Sequence, residues 1–169
     1  DTEVLNLKSS FCVQSARIRR HFTTKFGPAF AKSKAMHKPL DLHHVLAPTS
    51  VLSSVEWAAV QTLLLALECR DAETYYHSVR VANLATKSCQ TLGLDQRALE
   101  EVLIAGLLHD IGKIGLPDSV LQKAGRLSKS ERGLIALHPE LSANILTPLP
   151  KFDRVRDIIL QHHERFDGT

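Results

Sequence analysis

The chain has 169 residues, 44% of them hydrophobic and 23% charged, with a formal net charge of +3. That is ordinary globular composition and enough chain for one domain with a sizeable core. An aromatic share of 5% argues against recognition of single strands by stacked rings, and the longest apolar run, Leu63–Leu67, is far too short to span a membrane.

Residues 1–48 hold eight Lys or Arg against three acids, so the basic character sits in an N-terminal arm while the remainder is slightly acidic. No helix-turn-helix or finger pattern accompanies the arm, so a solvated or docking segment is expected there rather than a nucleic-acid surface. Gly27-Pro28, Lys38-Pro39 and Ala47-Pro48 punctuate it, and a short helix over Phe11–Phe26 is the most it predicts.

From Ser50 the pattern strengthens. Val51, Val55, Ala58, Ala59, Thr62, Leu63 and Ala66 recur at helical spacing, with Ser50 placed to cap them. A second helix over about 73–91 carries Val79, Val81, Leu84 and Ala85 and closes at Gly93. Asp95 caps a third, over about 96–110, rich in Leu and Ala. A glycine- and proline-bearing loop follows, Ile111–Asp118. Ser128-Lys129-Ser130-Glu131 has the form of a capping box. Further helices are predicted over Pro139–Leu146 and about 152–164, separated by Pro148-Leu149-Pro150. No strand-type alternation and no repeat occurs. The fold class expected is all-α, a helical bundle, with an arm over 1–49 and a domain over 50–169.

Cys12, Cys69 and Cys89 stand apart, without the paired spacing of zinc or redox sites. Cys69 and Cys89 read as small core residues, and the chain as the product of a reducing, cytoplasmic compartment.

Histidine is the informative residue. His77, His109, His138, His162 and His163 all lie beside helix ends or acids. Glu73 and His77 share one helical face. His109-Asp110 closes a strongly apolar helix, where a lone histidine is more often just a C-terminal cap favoured by the helix dipole. Jointly, these imidazoles and carboxylates form an N/O donor set for borderline to hard divalent ions, too large for one tetrahedral zinc and sufficient for two or three ions.

The run His109-Asp110-Ile111-Gly112-Lys113-Ile114-Gly115-Leu116-Pro117 resembles the HD-GYP branch of the HD phosphohydrolase superfamily. Glu68–Ala82 resembles that family's opening segment, and Leu127–Glu131 with His138–Leu146 its middle. Gln161–Gly168 resembles the lead-in to its Gly-Tyr-Pro tripeptide, which the chain stops short of; the 50–169 domain is thus expected to be C-terminally incomplete. Ser142 stands where the family commonly has glycine. The resemblance implies a metal-dependent phosphodiesterase for cyclic di-GMP, acting as the output domain of a bacterial signalling protein. It implies two or three divalent ions, iron or manganese ahead of zinc, held by Glu73, His77, His109, Asp110, His138, His162 and His163. Asp110 would be the bridging, catalytic carboxylate and Lys113 a catalytic and substrate-binding residue at phosphate. Partners implied are the cyclic dinucleotide and a diguanylate cyclase or an upstream sensor or receiver domain. The alternative is a degenerate or truncated module that binds nucleotide or a partner protein without catalysis.

Overall fold

The computed structural model describes residues 52–165 and 167–168, so the arm and its expected helix over Phe11–Phe26 lie outside the described residues. Seven α-helices and two short 3-10 segments make up the described part, with no strand among them: α1 (Ser54–Arg70), α2 (Ala72–Thr91), α3 (Gln96–Leu108), a 3-10 turn (Ile111–Gly115), α4 (Asp118–Leu121), α5 (Lys129–Ile135), α6 (His138–Ile145), a second 3-10 segment (Pro150–Phe152) and α7 (Asp153–Gln161). The all-α expectation is met.

Helix starts follow local chemistry. Asp71 accepts from the amides of Glu73 and Thr74 to open α2, and Asp95 accepts from that of Ala98 to open α3. Ser128 and Glu131 form the reciprocal capping box at α5. Gly93 leaves α2 at φ +76°, a conformation that favours glycine. Α1 opens with a second capping box, Ser53 with Glu56, and not at Ser50.

The core forms where α2 packs along α3 and α7 lies against α3 and α6, with α1 covering α2, α3 and the first 3-10 turn. Leu64, Leu67, Leu107, Leu108, Ile111, Leu146, Phe152 and Ile159 are fully buried there, each contributing about 1.5–3 kcal/mol of transfer free energy. Gly106 lets α2 and α3 touch: a Cβ on it would stand 2.6 Å from the Ala82 Cα.

Three further expectations change. The buried face of α1 is Trp57, Val60, Leu64 and Leu67; Val55 is 76% exposed, and Ala58, Thr62 and Ala66 are exposed with it. Α1 is apolar on several sides, so spacing alone does not choose its face, and the bulkiest residues take the core. Cys69 is exposed and Cys89 half-buried, so neither is a core residue. Α3 ends at Leu108, and the expected loop after it is a 3-10 turn followed by the one-turn α4. No helix among the described residues is long and apolar enough to cross a membrane.

Candidate metal centre

His109 and Asp110 leave the end of α3, the most buried helix, so both are carried into the interior, at 7% and 2% exposure. The turn that follows is pressed against the start of α6, which places His138 opposite Asp110, with the His138 Nε2 3.2 Å from Asp110 Oδ1. His162 and His163 follow α7. The His162 Nε2 and His163 Nε2 stand 3.2 and 3.3 Å from the His138 Nε2. His77, from the first half of α2, brings its ring to 5.4 Å from that of His109. Two groups of donors result, His77–His109–Asp110 and His138–His162–His163, each with its ligand atoms within 4.8 Å of one another. His109, Asp110 and His138 are buried, whereas His77 and His163 are exposed. The centre has a dry floor and a rim open to solvent.

Three of the rings are oriented in the same way. His109 Nδ1 lies 2.9 Å from the Gly106 carbonyl, His138 Nδ1 2.7 Å from that of Ile135, and His162 Nδ1 2.6 Å from that of Ile159. A carbonyl only accepts, so Nδ1 carries the proton in each, and Nε2 of the neutral ring presents a lone pair. This is the outer support that metal-binding histidines commonly have.

The inward-facing atoms are therefore acceptors. The lone pair of His138 Nε2 faces those of His162 and an oxygen of the Asp110 carboxylate at 3.2 Å each. Protonation of the rings would relieve this repulsion, but burial pushes both away from the charged form: His138 is lowered, and His162 is lowered to about 4. Burial likewise lowers His77, with His109 beside it acting in the same sense. Burial works to raise the Asp110 carboxyl. Its contacts with His109 and with the Lys113 ammonium outweigh that and hold it well below the usual carboxylate range. Asp110 is thus an anion among neutral imidazoles, and the lone pairs that meet there fit divalent cations.

Lys113, one turn past Asp110, bonds Asp110 Oδ2 at 2.9 Å. Glu73 is exposed, one turn before His77 on α2, and belongs to neither donor group. Six of the seven expected ligands are therefore brought together, with Lys113 beside them. Ser142 was legible only as a departure from glycine, yet it is fully buried, accepting from the Gly112 amide at 2.8 Å and donating to the His109 carbonyl at 2.7 Å. Its placement one turn into a helix that starts with His138 was the available signal, since a buried hydroxyl needs partners.

Comparison with known proteins agrees with this geometry. The model of the HD domain family matches residues 60–169. A cyclic di-GMP phosphodiesterase of Pseudomonas aeruginosa is 42% identical over 107 residues, 63% of this chain and 26% of that protein. The cyclic di-GMP phosphodiesterase response regulator RpfG of Xanthomonas campestris pv. campestris is 34% identical over 127 residues, 74% of this chain and 34% of that protein. A 3'3'-cGAMP-specific phosphodiesterase of Vibrio cholerae is 33% identical over 112 residues, 65% of this chain and 22% of that protein. The chain spans about a fifth to a third of the length of these relatives. With the matched region enclosing every residue of the two donor groups, the chain belongs to the HD domain family of the HD phosphohydrolase superfamily.

Proposed function

We propose that this chain supplies the metal centre of a cytoplasmic phosphodiesterase that hydrolyses a cyclic dinucleotide, cyclic di-GMP foremost. The observation that carries the reading is the meeting of unprotonated imidazole nitrogens and an ionised carboxylate around His138 and Asp110. The names of the relatives supply the substrate class.

His77, His109 and Asp110 would hold one ion and His138, His162 and His163 another, with Asp110, within reach of both groups, shared between them. Glu73 would join His77 toward a third. Iron or manganese suits this donor set, which lacks thiolate. The chemistry supplied by such ions is Lewis acidity, which makes water nucleophilic near neutral pH and offsets charge on a phosphodiester. The protein's own part begins with protonation states. Neutral His138 and His162 offer lone pairs without first losing a proton, and ionised Asp110 brings the negative charge. Lys113, held on Asp110, keeps an ammonium at the buried edge of the centre. There it takes a phosphoryl oxygen and stabilises the charge that grows on it. Residues 1–49 would be the arm linking this domain to a sensor or receiver domain, with a diguanylate cyclase as a further partner class.

The test is metal content and cyclic di-GMP turnover of the full chain, stripped with chelator and reloaded with manganese. About two ions per chain and turnover are expected. Asp110→Asn should lower metal content and weaken metal affinity by at least the ~10–100-fold that losing an outer-shell partner costs. Equal metal content in Asp110→Asn would refute the centre. Two bound ions without turnover would favour a binding module in place of an enzyme.

A further inference from the structure

The two donor groups belong to different parts of the fold, and something must fix the distance between them. His109 and Asp110 hang from α3 and the 3-10 turn, whereas His138 begins α6. Besides the His138–Asp110 approach, two features hold these segments together. The first is steric: Gly112 lies so close to α6 that a Cβ on it would stand 2.4 Å from the His138 carbonyl oxygen and 2.6 Å from the Ser142 amide nitrogen. The second is polar and runs through one atom. The Ser142 Oγ accepts from the Gly112 amide at 2.8 Å and donates to the His109 carbonyl at 2.7 Å.

We propose that the Ser142 hydroxyl is a positioning group that locks the His109–Gly112 turn against α6 and so sets the register between the two metal-ligand groups. The chemistry of a hydroxyl suits this. It alone among small side chains donates and accepts through one atom, and here it uses both capacities on backbone groups three residues apart. Those groups flank Asp110, which belongs to one donor group and stands 3.2 Å from His138 of the other. Ser142 is itself fully buried and Gly112 and His109 are buried, so water does not take over either bond. Ser142 reaches no ligand atom. It acts on the backbone from which His109 and Asp110 project, which makes it a positioning residue and not a ligand. Removing it would leave an amide and a carbonyl without this partner in the interior, and the turn would shift to satisfy them.

This inference rests on the proposed metal centre, and its test separates the two. Manganese alone is titrated into the full chain, into Ser142→Ala and into Val60→Ala, while the melting of each metal-free protein is recorded. Val60 is buried in α1 and touches the fold's stability without belonging to the turn. Both variants are expected to melt earlier. Only Ser142→Ala is expected to weaken manganese binding, by about tenfold, the low end for an outer-shell partner. Val60→Ala should bind within about twofold of the unsubstituted chain. Manganese affinity unchanged in Ser142→Ala, or weakened equally in both variants, would overturn the positioning role and leave the metal centre standing. No manganese binding by the unsubstituted chain would overturn the metal centre and the inference with it.

Discussion

Gly112→Ala is the single substitution on which the packing of this centre can be tested most sharply. The added methyl would meet the His138 carbonyl oxygen at 2.4 Å, the Ser142 amide nitrogen at 2.6 Å and the Leu141 Cβ at 2.8 Å, where ordinary contact begins near 3.4 Å. Relief requires the turn and the start of α6 to part by about 1 Å. Two of the three obstructing atoms are backbone, so no side-chain rotation accommodates the methyl. Overpacking costs ~1–3 kcal/mol, and a case with backbone obstruction belongs at the upper end. Stretching the Ser142 bridge adds ~1 kcal/mol for each hydrogen bond lost. With both bonds of the bridge at stake, a destabilisation of ~3–5 kcal/mol follows.

Denaturant unfolding of the metal-free chain measures this, with the m-value checked for constancy. Gly133→Ala provides the contrast. Gly133 lies in α5 and a Cβ on it would meet nothing within 4 Å, so Ala should stabilise by ~0.5–1 kcal/mol through helix propensity. Metal affinity adds a second readout, since disturbing the groups that hold metal-binding side chains costs ~10–100-fold. A Gly112→Ala protein with the midpoint and manganese affinity of the unsubstituted chain would refute the close approach of the turn to α6.

Acidification should destabilise the metal-free domain. Burial lowers the His162 imidazole to about 4 in the folded chain, against about 6.5 for an ordinary histidine, so between those pH values the unfolded chain binds more protons and stability rises with pH. His77 and His138 are lowered and act in the same sense, and Asp110, held low, adds its loss once pH falls below the ordinary carboxylate range. Melting temperature in chelator should fall steadily from pH 7 to 4.5, and a flat profile would contradict neutral, buried imidazoles. Ser128→Ala should cost about 1 kcal/mol by removing the acceptor 3.2 Å from the Glu131 amide. Because α5 buries no residue, the loss should appear as faster amide exchange confined to 129–135, and unchanged exchange there would show that the cap does not hold α5.

What the sequence makes legible depends on how local the cause is. Asp95 and the Ser128–Glu131 box mark helix starts correctly because a cap needs only residues three or four apart. The candidate donor set is legible because imidazole and carboxylate side by side are chemically conspicuous, and the resemblance orders them. The face of α1 is not legible. Val55, Ala58, Trp57, Val60, Leu63 and Leu64 place apolar surface around the helix, and the choice falls to neighbours far along the chain. Ser142 is hidden for the same reason: its two partners lie 30 and 33 residues away, and no spacing rule links them.

A common device underlies the site's geometry. The last turn of an α-helix leaves carbonyls without intrahelical partners. Here Gly106 at the end of α3, Ile135 at the end of α5 and Ile159 at the end of α7 each accept a bond from a histidine three residues on. The bond answers the carbonyl and, at the same time, fixes the tautomer that turns Nε2 inward. Three helix ends gathered at one place thus become three oriented nitrogen donors. The simple reading of His109 as a helix-ending residue is therefore correct and incomplete: it ends the helix, and ending it is what aims the ring. The bundle's packing of α7 on α3 and α6 then decides whether rings aimed this way meet. The proposed Ser142 bridge, with the close approach of Gly112, would hold the turn that carries His109 and Asp110 against α6, through the residues least conspicuous in the sequence.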